Sequence, residues 1–165
     1  MKSSGESRSP AARTTPRRRA REFALQGLYQ RQLSGNSSAA IRAQIAEIGG
    51  FAKADVAYFD ALWRGASAEF DDLVVLCAPH LDRRAADLSP VERAVLVIAA
   101  WELTHRLEIP YRVVINEAVE LAKSYGGTDG HKFVNGVLDK LASHVRAVEI
   151  AALADGRSPG VVDAA

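Results

Sequence analysis

The residues in this chain best suited to chemistry are guanidinium groups: Arg17, Arg18, Arg19 and Arg21 follow Pro16 almost without interruption. Arginine presents a planar fork of donors that matches a phosphate two bonds at a time, and it stays charged at any physiological pH. Four like charges at a helix start also oppose the positive end of the helix dipole, a local cost that a phosphate-bearing strand would offset. The spacing therefore predicts contact with nucleic acid, RNA in particular, because a single or folded strand can follow such a surface. A second cluster runs from Tyr125 to Phe133, where two aromatic rings flank a glycine-rich turn that leads into a helix start with His131 and Lys132. Helix-start N–H groups donate to phosphate oxygens, and unpaired bases stack on aromatic rings for about 1–3 kcal/mol each. Core packing of both rings fits the same pattern equally well.

Material for catalysis is poor. His80, His105, His131 and His144 are scattered and show no i, i+4 pairing, and Cys77 is the single cysteine, so neither a metal set nor a cysteine cluster is expected. Gly126-Gly127-Thr128-Asp129-Gly130-His131-Lys132 superficially suggests a phosphate loop. It fails that test, because a helix precedes it and Phe133 stands where a serine or threonine should follow the lysine. No catalytic residue, cofactor or metal is assigned, and the expected protein is not an enzyme.

The elements that position these clusters are helical. Thr15 caps a helix that opens on Pro16 and carries Phe23, Ala24, Leu25, Leu28, Tyr29 and Leu33 at three-and-four spacing up to Ser34-Gly35-Asn36. A short helix follows, with Ile41, Ile45 and Ile48 on one stripe before Gly49-Gly50. Residues 54–78 keep helical spacing with a break expected near Gly65-Ala66-Ser67, and Pro79 ends them. Ser89-Pro90-Val91-Glu92 forms a capping box, and the run Ala94 to Trp101 behind it is apolar nearly all round, the mark of a helix surrounded by others. Further helices are expected over 112–125 and from Thr128-Asp129 to about Val145. No stretch alternates with period two, so the fold class is all-α, a compact bundle of six or seven helices.

At 165 residues with 48% hydrophobic content, one domain with a substantial core is expected. Three segments are anticipated: a disordered basic arm over 1–15, a helical domain over 16–150, and a flexible tail over 151–165. Charge is polarised along the chain. Residues 1–21 carry a net +6 and the remainder −5, which again points the N-terminus at a polyanion. Cys77 sits in the apolar run Leu73-Val74-Val75-Leu76 and is expected to be buried; a chain with no possible internal disulfide suits the reducing cytoplasm. No segment reaches the roughly 18–20 apolar residues of a membrane span, so a soluble protein is expected. An Arg- and Ser-rich leader also has the character of a transit peptide, yet its arginines run directly into the first structural helix.

Five blocks stand out: Arg17-Arg18-Arg19-Ala20-Arg21-Glu22, Ala24-Leu25-Gln26-Gly27-Leu28-Tyr29, Val91-Glu92-Arg93-Ala94-Val95-Leu96, the run from Ile109 to Gly126 containing Asn116-Glu117-Ala118, and His131-Lys132-Phe133-Val134-Asn135-Gly136-Val137-Leu138-Asp139-Lys140. Together they resemble the bacterial transcription antitermination factor family NusB. The resemblance spans about residues 17–141 and is thin between 35 and 88. It implies two helical sub-bundles and a non-enzymatic factor that pairs with the small-subunit ribosomal protein NusE. The pair would read single-stranded boxA RNA in ribosomal RNA leaders, with other Nus factors and RNA polymerase engaged indirectly. Carried over residue by residue, it assigns RNA contact to Arg17, Arg18, Arg19, Arg21, Tyr29, Tyr125, Asp129, Lys132 and Phe133, and partner contact to Glu92 and its helix.

Two other functions compete. Some RNA cytosine methyltransferases carry a NusB-like domain ahead of a catalytic one, but only about twenty residues follow residue 145 here, against about 50 for even a small domain. The other is a helical interaction module or homodimer with no RNA role.

Overall fold

The computed structural model describes residues 14–156, and over them the chain is helical with no strand. Eight α-helices follow in order: α1 (Pro16–Ser34), α2 (Ser38–Ala46), α3 (Val56–Ala68), α4 (Phe70–Cys77), α5 (Pro90–His105), α6 (Tyr111–Tyr125), α7 (Gly130–Val145) and α8 (Ala147–Ala154). Short 3-10 turns at Phe51–Lys53, Ala78–His80 and Ala85–Asp87 join some of them. The basic arm falls almost wholly outside the described residues, as does most of the tail; residues 151–154, expected to be flexible, continue α8.

The helix starts obey their local chemistry. The Thr15 hydroxyl accepts the Arg18 N–H at 3.1 Å, and α1 stops at Gly35, whose φ of 69° is the left-handed conformation that glycine tolerates. The Ser89 hydroxyl accepts the Glu92 N–H at 3.1 Å at the head of α5. Only half of the expected capping box forms, because the Glu92 side chain turns toward Arg83 instead. The break after α3 falls at Glu69 rather than within Gly65-Ala66-Ser67. Those three residues stay helical because Gly65 is where α3 meets α5: a Cβ there would lie 1.9 Å from the Trp101 indole nitrogen.

Two sub-bundles share α5. On one side α1, α2 and α3 close around Phe23, Phe51, Phe59 and Trp63, whose rings meet in succession at 5.4, 5.3 and 6.4 Å between centroids. On the other side α6 and α7 pack against α5 and against each other, and α4 bridges toward α5. The α5 run Ala94–Leu103 is buried throughout, including Glu102, so this helix serves as the common core.

Helix α7 ends at Val145 as expected, whereas the separate α8 was not anticipated. Arg146 divides them and is itself buried, donating to the carbonyls of Glu102, Leu103, Arg106 and Ile109 and pairing with Glu149. It thereby ties the start of α8 to the carbonyls at the end of α5 and in the turn that follows.

Candidate nucleic-acid interface

The four arginines of α1 share a sequence cluster but not an environment. Arg21 is 3% exposed. Its guanidinium forks onto Glu102 of α5, with Nε to Oε1 at 2.9 Å and Nη2 to Oε2 at 2.8 Å. The Tyr58 hydroxyl donates to the same carboxylate. Burial works against the Arg21 charge, but the hydrogen-bonded Glu102 outweighs it and raises the pKa further. Burial first, and Glu102 second, hold the Tyr58 phenol protonated well above its ordinary range. Arg21 thus binds α1 to α5, and its guanidinium is not open to a strand in solution.

Arg18 is half-buried and also takes a carboxylate bidentately: Nε and Nη2 reach Glu117 of α6 at 3.0 and 2.9 Å. Arg17 lies across the face of Tyr58 at 4.3 Å and 3.9 Å from Asp55, keeping 43% of its side chain exposed. Arg19 has no carboxylate partner among the described residues. The expected conflict between four cations and the helix dipole is therefore largely met inside the molecule, since Asp55, Glu102 and Glu117 neutralise three of them. What remains for an outside anion is Arg19 and the solvent-facing parts of Arg17 and Arg18.

Glu117 also sets the position of the aromatic turn. It lies on α6, and two turns further along the same helix Tyr125 comes within electrostatic range of Glu22, one turn beyond Arg18 on α1. Burial and the neighbouring Glu22 together raise the Tyr125 pKa. The Arg18–Glu117 ion pair and the approach of Tyr125 to Glu22 place the arginine entrance and Tyr125 on one side of the molecule. Tyr125 is 42% exposed. Tyr29, two turns beyond Glu22 on the same stripe of α1, is 41% exposed and extends this face.

Phe133 is arranged differently from Tyr125. It is only partly buried, against the core, and its outer face is covered by the Arg83 guanidinium 4.0 Å from the ring centroid. Asp129 and Lys132 are largely exposed and sit 3.6 Å apart as an ion pair. Two of the N–H groups at the head of α7 are already used, Gly130 donating to Gly127 and Lys132 to Asp129, which leaves less of an anion site there than the glycine-rich spacing suggests.

The same Arg83 guanidinium also approaches Glu92 of α5. The Oε2 of Glu92 is buried, has no hydrogen-bond donor, and lies 3.8 Å from Arg83 Nη1. Its chain neighbour Arg93 lines an open cavity of about 380 Å³ together with Phe70, Asp71, Val74, Val75, Ala85 and Ala86, and Val75 on its wall is 68% exposed.

Comparison with known proteins decides the family. The NusB family model matches residues 18–143. The chain belongs to the NusB family. Among NusB relatives, the transcription antitermination protein NusB of Aromatoleum aromaticum is 58% identical over 142 residues, covering 86% of this chain and 96% of that protein. Its counterpart from Ralstonia pickettii is 55% identical over 147 residues, covering 89% and 95%. The solved structure of T. maritima NusB superposes with a TM-score of 0.70 at 31% identity, covering 80% of this chain and 94% of that one. The all-helical fold is thus that of NusB, and a NusB protein is a transcription antitermination factor rather than an enzyme. Among the described residues no helix is long and apolar enough to cross a membrane, and no group of three or more histidine, cysteine or acidic side chains could hold a metal ion. Two of the scattered histidines do meet, His80 and His144, with ring centroids 5.1 Å apart.

Residue spacing missed Glu102, Glu117, Glu22 and Arg83. One signal was available for the first. A glutamate inside the otherwise apolar α5 needs a buried cation, and Arg21 lies three, four and seven residues before Ala24, Leu25 and Leu28, on the core face of α1. Nothing local marks Arg83 as the partner of Phe133, fifty residues away.

Proposed function

We propose that this NusB protein binds boxA-type single-stranded RNA together with the small-subunit ribosomal protein NusE and promotes transcription of ribosomal RNA. The observation that carries the proposal is the bidentate Arg18–Glu117 ion pair, which ties α6, whose last residue is Tyr125, to the helix that bears Arg17, Arg18 and Arg19. A strand crossing this face meets cations for its phosphates and the Tyr125 and Tyr29 rings for its bases. The partner contact is assigned to Glu92, whose buried Oε2 has no donor, and to the cavity that its chain neighbour Arg93 lines together with exposed Val75.

A fluorescence titration of boxA RNA against a scrambled strand of equal length, with and without the ribosomal protein, tests the assignment. Tighter binding of boxA, strengthened by the ribosomal protein, is expected. Equal affinity for both strands under both conditions would show a general polycation and reject the proposal.

A further inference from the structure

Arg83 holds a position that no sequence pattern marks and that the contacts above leave without a function. It lies between α4 and α5, next to the 3-10 turn at Ala85–Asp87. Its guanidinium covers the Phe133 ring at 4.0 Å, its Nε donates to Asp82 at 2.8 Å, and its Nη1 points toward Glu92 at 3.8 Å. No acceptor among the described residues takes Nη2. The side chain is 41% exposed, so the guanidinium plane has one covered face on Phe133 and one edge toward solvent.

This arrangement changes what Phe133 can offer. A ring already covered by a cation cannot accept a base on that face unless the cation leaves, and leaving would strip Glu92 of its nearest positive charge. A guanidinium plane is itself a stacking surface for an unpaired base, and its free N–H groups reach a phosphate or a base edge. Asp82 holds Nε from the side and Phe133 supports the plane from beneath, so Arg83 is ordered before a ligand arrives, which reduces the entropy lost on binding.

We propose that Arg83 is a further RNA-contacting residue, presenting its guanidinium plane and Nη2 to an unpaired nucleotide, with Phe133 acting as its support rather than as the stacking surface. The proposal rests on the RNA-binding function above and adds a residue to it. It also joins the two faces of the molecule, because the same guanidinium is the cation closest to the buried oxygen of Glu92. Arg83 borders both the strand and the protein partner.

The test is a titration of the full-length chain with boxA RNA at several salt concentrations, comparing the parent with Arg83→Ala and Arg83→Lys. Lysine keeps a cation beside Glu92 and so preserves the local charge balance, but it has no plane. Arg83→Ala is expected to bind about tenfold more weakly, in line with the loss of one stacked base. Arg83→Lys should regain the salt dependence but not the affinity. Melting temperatures of both variants serve as the folding control. Parent-like affinity for a folded Arg83→Ala protein would overturn the inference, as would full recovery by lysine, since charge alone would then suffice. A parent protein that does not distinguish boxA from the scrambled strand would instead reject the underlying function.

Discussion

At the scale of single residues, neighbouring arginines divide into fold and function according to which side of α1 they occupy. Arg21 faces the core and holds Glu102; Arg19, two residues earlier, is half-buried beside Gly50 and has no carboxylate partner among the described residues. Replacing Arg21 with alanine leaves Glu102 buried without its cation, so a loss of about 3–5 kcal/mol in urea unfolding is expected. Replacing Arg19 with alanine should leave that unfolding curve nearly unchanged. It should instead weaken RNA binding and flatten log K against log salt by about 0.7 for the one phosphate no longer neutralised. A reversal of these two outcomes would show the assignment of the cluster to be mistaken. Cys77 supplies a pH test. Burial raises its thiol pKa from the ordinary 9.0 to about 12, so the folded protein should resist iodoacetamide at pH 8 and react only once urea unfolds it. Because the folded-state value lies above the unfolded one, the stabilisation linked to this proton is complete below about pH 9 and is lost as pH rises toward 12.

At the scale of elements, the contact between α3 and α5 depends on a missing side chain. A Cβ on Gly65 would fall 1.9 Å from the Trp101 indole nitrogen, whereas one on Gly136 of α7 would meet nothing within 4 Å. Both glycines lie inside helices, where alanine is ordinarily favoured by about 1 kcal/mol. Gly136→Ala should therefore raise stability by up to about 1 kcal/mol. Gly65→Ala should lower it by about 1–3 kcal/mol, because overpacking outweighs propensity. Thermal melts of the two variants decide the matter, and a stabilised Gly65→Ala protein would contradict the described approach of α3 to α5. The same contact explains why the break expected at Gly65-Ala66-Ser67 moved to Glu69: glycine there serves helix packing, not chain reversal.

For the whole molecule, α5 belongs to both sub-bundles, and neither closes its core without it. Trp63 reports on the first sub-bundle and Trp101, on α5, lies where the two meet. Unfolding is accordingly expected as a single transition, with tryptophan fluorescence and helical circular dichroism coinciding in urea. Two separated transitions would mean that the sub-bundles are independent units. Arg146 extends this cooperativity to α8 by linking it to the end of α5 through backbone carbonyls.

Helix positions were largely legible in the residues, because capping and apolar periodicity are local: Thr15 and Pro16 open α1, Gly35 ends it, and Ser89 with Pro90 opens α5. The NusB resemblance was equally legible from its two dense blocks. Tertiary structure alone decided how the charges are used. Whether an arginine is free depends on carboxylates that lie 81 and 99 positions away in the chain, as for Arg21 with Glu102 and Arg18 with Glu117. Electrostatic partnership acts through space over a few ångströms, and spacing along the chain carries no record of it.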